Sequence, residues 1–271
     1  MKYTTLDKRC KFYEQNFRSV MMPTLPIVCR VDGKAFHSFT KGLDRPFDKG
    51  LSDLMLETTK FLVQETAANF GYIQSDEISL VWYNKDPDHQ LFFDGKTQKI
   101  VSITASIATY FFNKNLEKYL PSKKDKIALF DSRCWNVPNP DEVVIYTLWR
   151  QKDATKNAIT MAASTVFSHA ELQGVHGGNK QEMLYSKGVN FNDYPTQFKR
   201  GSFVRKTKVN IAFSASEIEK LPLQHEARKN PNLLVERSIL ETSHYRLTKI
   251  SNKIDFLLNG QEPILEDKTD V

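Results

Sequence analysis

The chain has little cysteine and no long apolar run. Its three cysteines, Cys10, Cys29 and Cys134, are scattered, odd in number and include no C-x-x-C pair, which disfavours a disulfide framework and favours reduced thiols. No apolar stretch approaches the length of a transmembrane helix. Residues 1–18 carry acids and lack the apolar core of a secretory signal. We therefore expect a cytoplasmic protein without a membrane partner.

Compositional signs of disorder are also missing, because 40% of the 271 residues are hydrophobic and 26% are charged. We find no internal repeat and no low-complexity linker. Lysine and arginine outnumber aspartate and glutamate by 38 to 32, which gives a net charge of +6. This balance is compatible with a polyanionic partner, although many ordinary enzymes are equally basic. Length alone does not decide between one large domain and two small ones.

Strand and helix patterns alternate in the first half of the chain. The β-branched run "LPIVCRVDGKAF" (25–36) stops at the turn signal Asp32–Gly33. Residues 47–70 repeat apolar positions at spacings of three and four, which predicts an amphipathic helix. The stretch "GYIQSDEISLVWY" (71–83) predicts two strands, "GYIQ" and "ISLVWY", joined by a tip at "SDE".

Three further segments complete this half. "FFDGKTQKIV" (92–101) resembles another hairpin with Asp94–Gly95 at its turn, residues 101–119 predict a helix rich in small residues, and residues 126–137 predict a strand. The order is strand, helix, strand pair, helix, strand. It predicts an α+β fold with a palm-like, ferredoxin-like split βαβ antiparallel sheet that carries helices on one face.

The second half of the chain has a different pattern. Residues 141–172 predict one long helix with two acids in its first turn, ended by the glycine-rich break "GVHGGNK" (174–180). Helical stretches in a charged tail follow. We therefore predict a palm-like domain over residues 1–138 and a mainly helical C-terminal lobe over residues 139–271, packed on the first. The alternative is one continuous domain.

The predicted fold brings three acids to one edge of the sheet. Asp32 ends the first strand, while Asp76 and Glu77 occupy the tip of the central hairpin. Carboxylate oxygens beside a glycine backbone suit Mg²⁺, and two such ions can catalyse phosphoryl transfer, as in palm domains of polymerases and nucleotide cyclases. The alternative interpretation is an ordinary turn at Asp32–Gly33 and a solvated hairpin tip at Asp76–Glu77.

Four segments, in order over about residues 2–205, resemble one known family. They are "RVDGKAFHSFTKGLDRPFD" (30–48), "GYIQSDEISLVW" (71–82), "FDSRCWNVP…VIYTLWRQKDATKNAI" (130–159) and "GVNFNDYPTQFKRG" (188–201). Together they are similar to the tRNA-His guanylyltransferase family, which includes bacterial, archaeal and phage guanylyltransferase-like proteins. The resemblance implies an enzyme that adds nucleotides in the 3′→5′ direction to the 5′ end of tRNA. It also implies two Mg²⁺ ions, GTP, ATP and other nucleoside triphosphates as substrates, and a homo-oligomer, commonly a tetramer.

The resemblance assigns roles position by position. Asp32, the backbone carbonyl of Gly33 and Asp76 match the metal ligands, and Glu77 matches an adjacent acid that we favour as a supporting residue. Arg45 stands where other members carry a lysine directed at a triphosphate. The nucleotide-binding positions are Asp32, Gly33, Lys34, Ala35, Phe36, His37, Arg45, Ser75, Asp76, Asp153, Lys156 and Asn157.

Alternatives remain for three of these positions. His37 can equally be a hydrogen-bonded structural histidine. Asp153 and Lys156 can equally form an ordinary charged helix surface. Basic residues elsewhere fit either an RNA path or a solvated face, namely Lys123, Lys124, Lys126, Lys199, Arg200, Arg205, Lys206 and Lys208.

One departure from the family pattern bears on specificity. Eukaryotic members carry H-I-N-N-L-Y-N in the long helix, where this chain has "TKNAITM" (155–161), with Thr155 in place of the histidine. This resembles the bacterial and phage type, which is linked to repair of truncated tRNA 5′ ends. The leading hypothesis is therefore a template-dependent 3′→5′ nucleotidyltransferase. The alternatives are a dedicated tRNA-His guanylyltransferase, a palm-type nucleotide cyclase and a tRNA-binding protein without catalysis.

Overall fold

A computed structural model describes residues 5–266 of the chain. The outermost residues of the two predicted domains, 1–4 and 267–271, lie outside this part. A six-stranded antiparallel sheet, ordered β4-β1-β3-β2-β5-β6, forms the centre of the molecule. Its strands are β1 Ile27–Gly33, β2 Phe70–Gln74, β3 Glu77–Trp82, β4 Phe130–Asn136, β5 Ser202–Ala212 and β6 Leu234–Ser243.

Helices surround this sheet. The three longest are α3, α4 and α6, which pack on the strands. In chain order the helices are α1 Leu6–Gln15, α2 Phe36–Phe39, α3 Lys49–Thr66, α4 Thr97–Lys114, α5 Leu116–Tyr119, α6 Pro140–Ala163, α7 His169–Leu172, α8 Gly177–Ser186, α9 Thr196–Arg200, α10 Ala215–Lys220, α11 Glu226–Lys229 and α12 Lys253–Leu258. Short 3₁₀ turns occupy Phe92–Gly95, Pro121–Lys123, Phe191–Asp193 and Leu247–Lys249.

The predicted order of strand, helix, strand pair, helix and strand is confirmed over β1 to β4. Helix α3 begins where the Asp48 side chain accepts a hydrogen bond from the Leu51 N–H at 2.8 Å, which satisfies one unpaired amide of the first turn. Its buried face repeats at helical spacing through Leu54, Met55 and Leu62. That face packs on β2 and β5 of the sheet, while pairing of β1 with β3 sets the position of β1 beside the central hairpin.

Alternate residues of the strands enter two separate cores. Val31 and Leu80 belong to the core under α3 and α4, whereas Val28 and Val81 belong to the core under α6 and α12. This follows from the two-residue period of a strand. The two long helices between β1 and β4, α3 and α4, lie on one face as predicted, and apolar side chains of α6, which belongs to the predicted C-terminal lobe, cover the second face of the same sheet.

The predicted hairpin over residues 92–101 is wrong. Phe92–Gly95 forms a 3₁₀ turn, and α4 already begins at Thr97. The Asp94–Gly95 turn signal is real, because both residues have positive φ angles, but the chain leaves that turn as a helix. Ile100 lies on the buried face of α4, so the helical period decides the structure here.

The second half of the chain contains more strand than predicted. Helix α6 ends at Ala163 rather than continuing to residue 172, and the short α7 follows with its own Ser168 cap. Strands β5 and β6 add to the same sheet through pairing of β5 with β2. A mainly helical lobe is therefore an incomplete description, because 21 residues of this half are in two long strands. Across residues 5–266, every helix is too short or too polar to cross a membrane.

Candidate active site

The turn between β2 and β3 consists of two residues, Ser75 and Asp76. Gln74 and Glu77 close it as directly opposed partners, and Ser75 takes a left-handed φ of 51°. The Gly33 N–H donates a hydrogen bond of 3.2 Å to the backbone carbonyl of Asp76. This bond brings the end of β1 against the turn, so Asp32 and Asp76 converge as predicted. The predicted three-residue tip is shorter by one residue, since Glu77 already belongs to β3.

Asp76 lies in an unfavourable environment for a carboxylate. Burial raises the pKa of Asp76 to about 6, and the negative charges of Asp32 and Glu77 add to this effect. A backbone N–H and the Ser75 hydroxyl oppose the shift by hydrogen bonding. The nearest cation to Asp32 is Arg133, whose Nη2 lies 3.6 Å from Oδ2. A bound cation would therefore relieve the repulsion between these two carboxylates.

The donor set at this turn fits Mg²⁺ bound together with a substrate. No group of three or more histidine, cysteine or acidic side chains within residues 5–266 is arranged to hold an ion. Asp32, Asp76 and the Gly33 carbonyl offer three oxygen donors from the chain. Mg²⁺ is commonly bound through one or two carboxylates, with waters and substrate phosphates completing its shell. This partial set is what such an ion requires.

Glu77 is engaged with a different partner. Its Oε1 and Oε2 accept hydrogen bonds from Arg150 Nε at 2.7 Å and Nη2 at 2.8 Å. Arg150 Nη2 also donates to Asp153 Oδ2 at 2.8 Å, so one buried guanidinium joins β3 to the following turn of α6. The hydrogen bonds and charge of Glu77 raise the pKa of Arg150 although burial alone would lower it. Arg150 was not among the residues predicted from the sequence.

A cleft of about 670 Å³ opens beside the turn, between the β1–α3 connection and α6. Most of the predicted residues line it, and four do not. Those that line it are Asp32, Phe36, His37, Arg45, Ser75, Asp76, Glu77, Asp153 and Asn157. Those outside its lining are Gly33, Lys34, Ala35 and Lys156. The structure thus brings nine of the predicted side chains to one cavity.

These nine side chains differ in what they can contact. Phe36 is buried and packs on Phe112 and Phe130, with ring centroids 5.6 and 5.2 Å away, so it supports the cleft from below. A Cβ at Gly33 would lie 2.3 Å from that ring, which explains the glycine there. His37 and Arg45 are exposed at the rim and are free to meet a ligand.

The sequence analysis missed one wall of the cleft. Phe47 and Phe198 stack with ring centroids 4.9 Å apart and an interplanar angle of 26°, which joins the β1–α3 connection to α9. Ala154, Ala158 and Met161 of α6 add apolar surface. The wall is therefore suited to a flat apolar group such as a nucleobase. The aromatic residues of "NFNDYPTQF" (190–198) are the signal in the sequence for this wall.

Two basic residues proposed for an RNA path have structural roles instead. Arg205 is fully buried, donates hydrogen bonds to the carbonyls of Phe256 and Gln261, and pairs with Glu241. Lys123 is buried and donates to the Lys41 carbonyl at 2.7 Å. A cation held by protein acceptors in the interior cannot contact a phosphate, so these two assignments are wrong.

Comparison with known proteins gives a consistent result. A sequence model of the family described as tRNAHis guanylyltransferase matches residues 7–138. The tRNA(His) guanylyltransferase of Saccharomyces cerevisiae is 30% identical over 207 residues, which cover 69% of this chain and 85% of that protein. The Schizosaccharomyces pombe protein of the same name is 32% identical over 206 residues, covering 71% of this chain and 77% of that one.

Solved structures agree with these relatives. A bacterial tRNA(His) guanylyltransferase-like protein in complex with ATP superposes with a TM-score of 0.70 at 38% identity, covering 74% of this chain and 87% of that chain. A structure of such a bacterial protein in complex with GTP gives a TM-score of 0.69 at 31% identity, covering 89% and 92%.

Proposed function

The chain belongs to the tRNA(His) guanylyltransferase family, and from this premise we propose that it repairs truncated tRNA 5′ ends as a template-dependent 3′→5′ nucleotidyltransferase. The observation that carries the proposal is the convergence of Asp32 and Asp76 at the mouth of the cleft. The Gly33–Asp76 backbone hydrogen bond sets this arrangement. The same proposal describes β1 to β4 as a palm-like unit within a cytoplasmic homo-oligomer, a tetramer by family resemblance.

Asp32, Asp76 and the Gly33 carbonyl would hold Mg²⁺. The metal, when bound, neutralises phosphate charge and favours ionisation of the attacking hydroxyl. Asp76 is ionised at neutral pH because its pKa of about 6 lies below 7. Its carboxylate is therefore available as an oxygen donor at that pH.

Other residues of the cleft would orient the nucleotide. Arg45 and Ser75 line the cleft and would contact the triphosphate, since a guanidinium can bind two phosphate oxygens at once. The stacked rings of Phe47 and Phe198 provide a flat surface that would hold the base. In the proposed reaction ATP or GTP first activates the RNA 5′-monophosphate with release of pyrophosphate. The 3′-hydroxyl of the incoming nucleotide then attacks the activated phosphate, and the activating group leaves.

Thr155, the position at which the chain departs from the eukaryotic motif, supports repair of several tRNAs over addition of a guanosine to tRNA-His alone. The Thr155 hydroxyl lies 3.0 Å from the carbonyls of both Gln151 and Lys199. It ties α6 to α9 and offers no titratable group in place of the histidine.

The test is incubation with labelled tRNAs that lack the first nucleotide, in the presence of Mg²⁺ and nucleoside triphosphates. Template-directed extension of several tRNAs supports repair, and extension of tRNA-His alone supports a dedicated guanylyltransferase. A cyclic nucleotide product supports a cyclase. RNA binding without any product contradicts an enzyme of this type.

A further inference from the structure

Three residues of α6 form an exposed stripe outside the cleft. Trp149, Lys152 and Lys156 follow one another at spacings of three and four, which places them on one side of the helix. All three are exposed, and 53% of Trp149 is accessible to solvent. An exposed indole is uncommon enough to require a reason, because tryptophan is usually well buried. We refer to these three residues as the α6 stripe.

The indole of the α6 stripe is held in place from the protein side. The guanidinium carbon of Arg150 lies 4.3 Å from the Trp149 ring centroid, and the Tyr146 ring lies 5.9 Å away. Arg150 is itself fixed by Glu77 and Asp153, two residues of the cleft lining. The tryptophan is therefore preorganised beside the rim of the candidate active site, with much of its surface open to solvent.

The two lysines of the α6 stripe are available for an anion. Neither Lys152 nor Lys156 forms a salt bridge within residues 5–266. Lys156, which the family resemblance assigned to the nucleotide, does not line the cleft. From Trp149 to Lys156 the helix rises by roughly 10 Å. This spacing provides one aromatic surface and two separate positive charges along a single line.

We propose that the α6 stripe binds the unpaired end of the RNA substrate, with one base stacked on Trp149 and phosphates against Lys152 and Lys156. The proposal rests on the proposed function and adds a surface through which the RNA reaches the cleft. Aromatic platforms combined with unpaired cations are typical of single-stranded nucleic-acid sites. A second copy of the chain fits less well, since the cores of protein interfaces are depleted in lysine.

Stacking can be separated from simple apolar contact by substitutions at one position. Trp149→Phe keeps an aromatic face, whereas Trp149→Leu keeps apolar volume without one. We expect Trp149→Leu to weaken binding of a labelled RNA hairpin with a single-stranded extension by roughly 5- to 150-fold, and Trp149→Phe to weaken it less. A blunt hairpin should show no such difference. Ile145→Ala is the matched control, because Ile145 is equally exposed one turn earlier but is not aromatic.

The contribution of the two lysines is measured through the salt dependence of RNA affinity. Lys152→Ala with Lys156→Ala should reduce the magnitude of the slope of log affinity against log salt by about 1.4 to 1.8, the counterion release expected for two phosphates. The double variant Lys187→Ala with Lys229→Ala removes the same charge from exposed positions just after α8 and in α11 and should leave that slope unchanged. An unchanged slope in the first double variant overturns the lysine part of the proposal.

Four results decide the stacking part and distinguish its failure from that of the proposed function. Equal RNA affinity of wild type and Trp149→Leu overturns it, even if tRNA is extended normally. A lower oligomer mass of Trp149→Leu by light scattering, with RNA affinity unchanged, identifies a protein interface instead. If Trp149→Leu does not fold, tryptophan fluorescence is compared between wild type and Trp149→Phe. Stronger quenching of wild type by the extended hairpin supports stacking on Trp149, and equal quenching of both proteins overturns it. Wild-type binding that depends on Trp149, without extension of any tRNA, refutes only the proposed enzyme.

Discussion

Glu77 and Arg150, 73 residues apart in the chain, form a two-pronged ion pair with N–O distances of 2.7 and 2.8 Å. Asp76, the residue next to Glu77, lies instead in the β2–β3 turn beside Asp32. The two consecutive acids therefore have different environments, one paired with a buried cation and one crowded by other carboxylates. Their removal should have opposite effects on stability.

Glu77→Gln should destabilise the fold and reduce activity less than Asp76→Asn does. Breaking this buried ion pair leaves Arg150 with Asp153 as its remaining acidic partner, so the loss should stay below the roughly 3–5 kcal/mol that a buried charge left without any partner typically costs. Urea denaturation gives the free energy of unfolding, and the double variant Glu77→Gln with Arg150→Met should recover part of the loss. A Glu77→Gln protein that keeps its stability but loses activity as completely as Asp76→Asn would make Glu77 a direct metal ligand.

Asp32→Ala and Asp76→Ala should each reduce nucleotide addition by at least ~10²-fold, because each removes an oxygen donor for the proposed ions. Both variants should fold, since neither side chain contributes to an apolar core. The measurement is the single-turnover rate of extension of a truncated tRNA. Asp131→Ala, which removes an exposed acid of β4 near Arg133, serves as control and should retain activity. Near-normal activity of either cleft variant contradicts the metal assignment.

The raised pKa of Asp76 has a consequence for stability. Because its pKa is about 6 in the folded chain and about 4 in the unfolded chain, the folded state binds this proton more tightly. The contribution of Asp76 to the free energy of unfolding therefore falls as pH rises from about 4 to about 6. Asp76→Asn should be more stable than wild type by roughly 1–3 kcal/mol at pH 7, and the difference should disappear below about pH 4.

That difference is measured by urea denaturation across the pH range, and Mg²⁺ provides a further check. A cation at Asp32 and Asp76 would favour the ionised carboxylate, so added Mg²⁺ should stabilise wild type more than Asp76→Asn at pH 7. Asp131→Asn should respond to Mg²⁺ like wild type. Equal stability of Asp76→Asn and wild type at every pH would contradict the crowded environment described for Asp76.

Arg45→Ala should raise the KM for nucleoside triphosphate by roughly 10- to 150-fold while leaving tRNA affinity nearly unchanged, since hydrogen bonds to charged groups contribute about 1.5–3 kcal/mol. Steady-state kinetics at saturating tRNA measures the first quantity, and a filter-binding titration measures the second. Lys41→Ala is the matched control, because Lys41 is an exposed cation of the same connection that does not line the cleft. Weaker tRNA binding with an unchanged KM would place Arg45 on an RNA surface.

Local patterns determined much of this protein. The short apolar, β-branched runs of β1 and β3, bounded by turn signals, and the helical period of α3 gave the order of the first elements. The positions of Asp32 and Asp76 at strand ends followed from that order. Turn chemistry alone was less decisive, since Asp94–Gly95 makes a turn that leads into α4 rather than into a second strand.

Only the tertiary structure decided the features that depend on distant partners. The pairing of β5 with β2 joins segments about 130 residues apart. The basic run from Lys199 to Lys208 has no local pattern that predicts this pairing. Arg205 is an interior residue because acceptors from Phe256, Gln261 and Glu241 surround it. A charged residue looks the same in a sequence whether its partner is water, phosphate or protein. Its role is set by what the fold places within hydrogen-bonding distance.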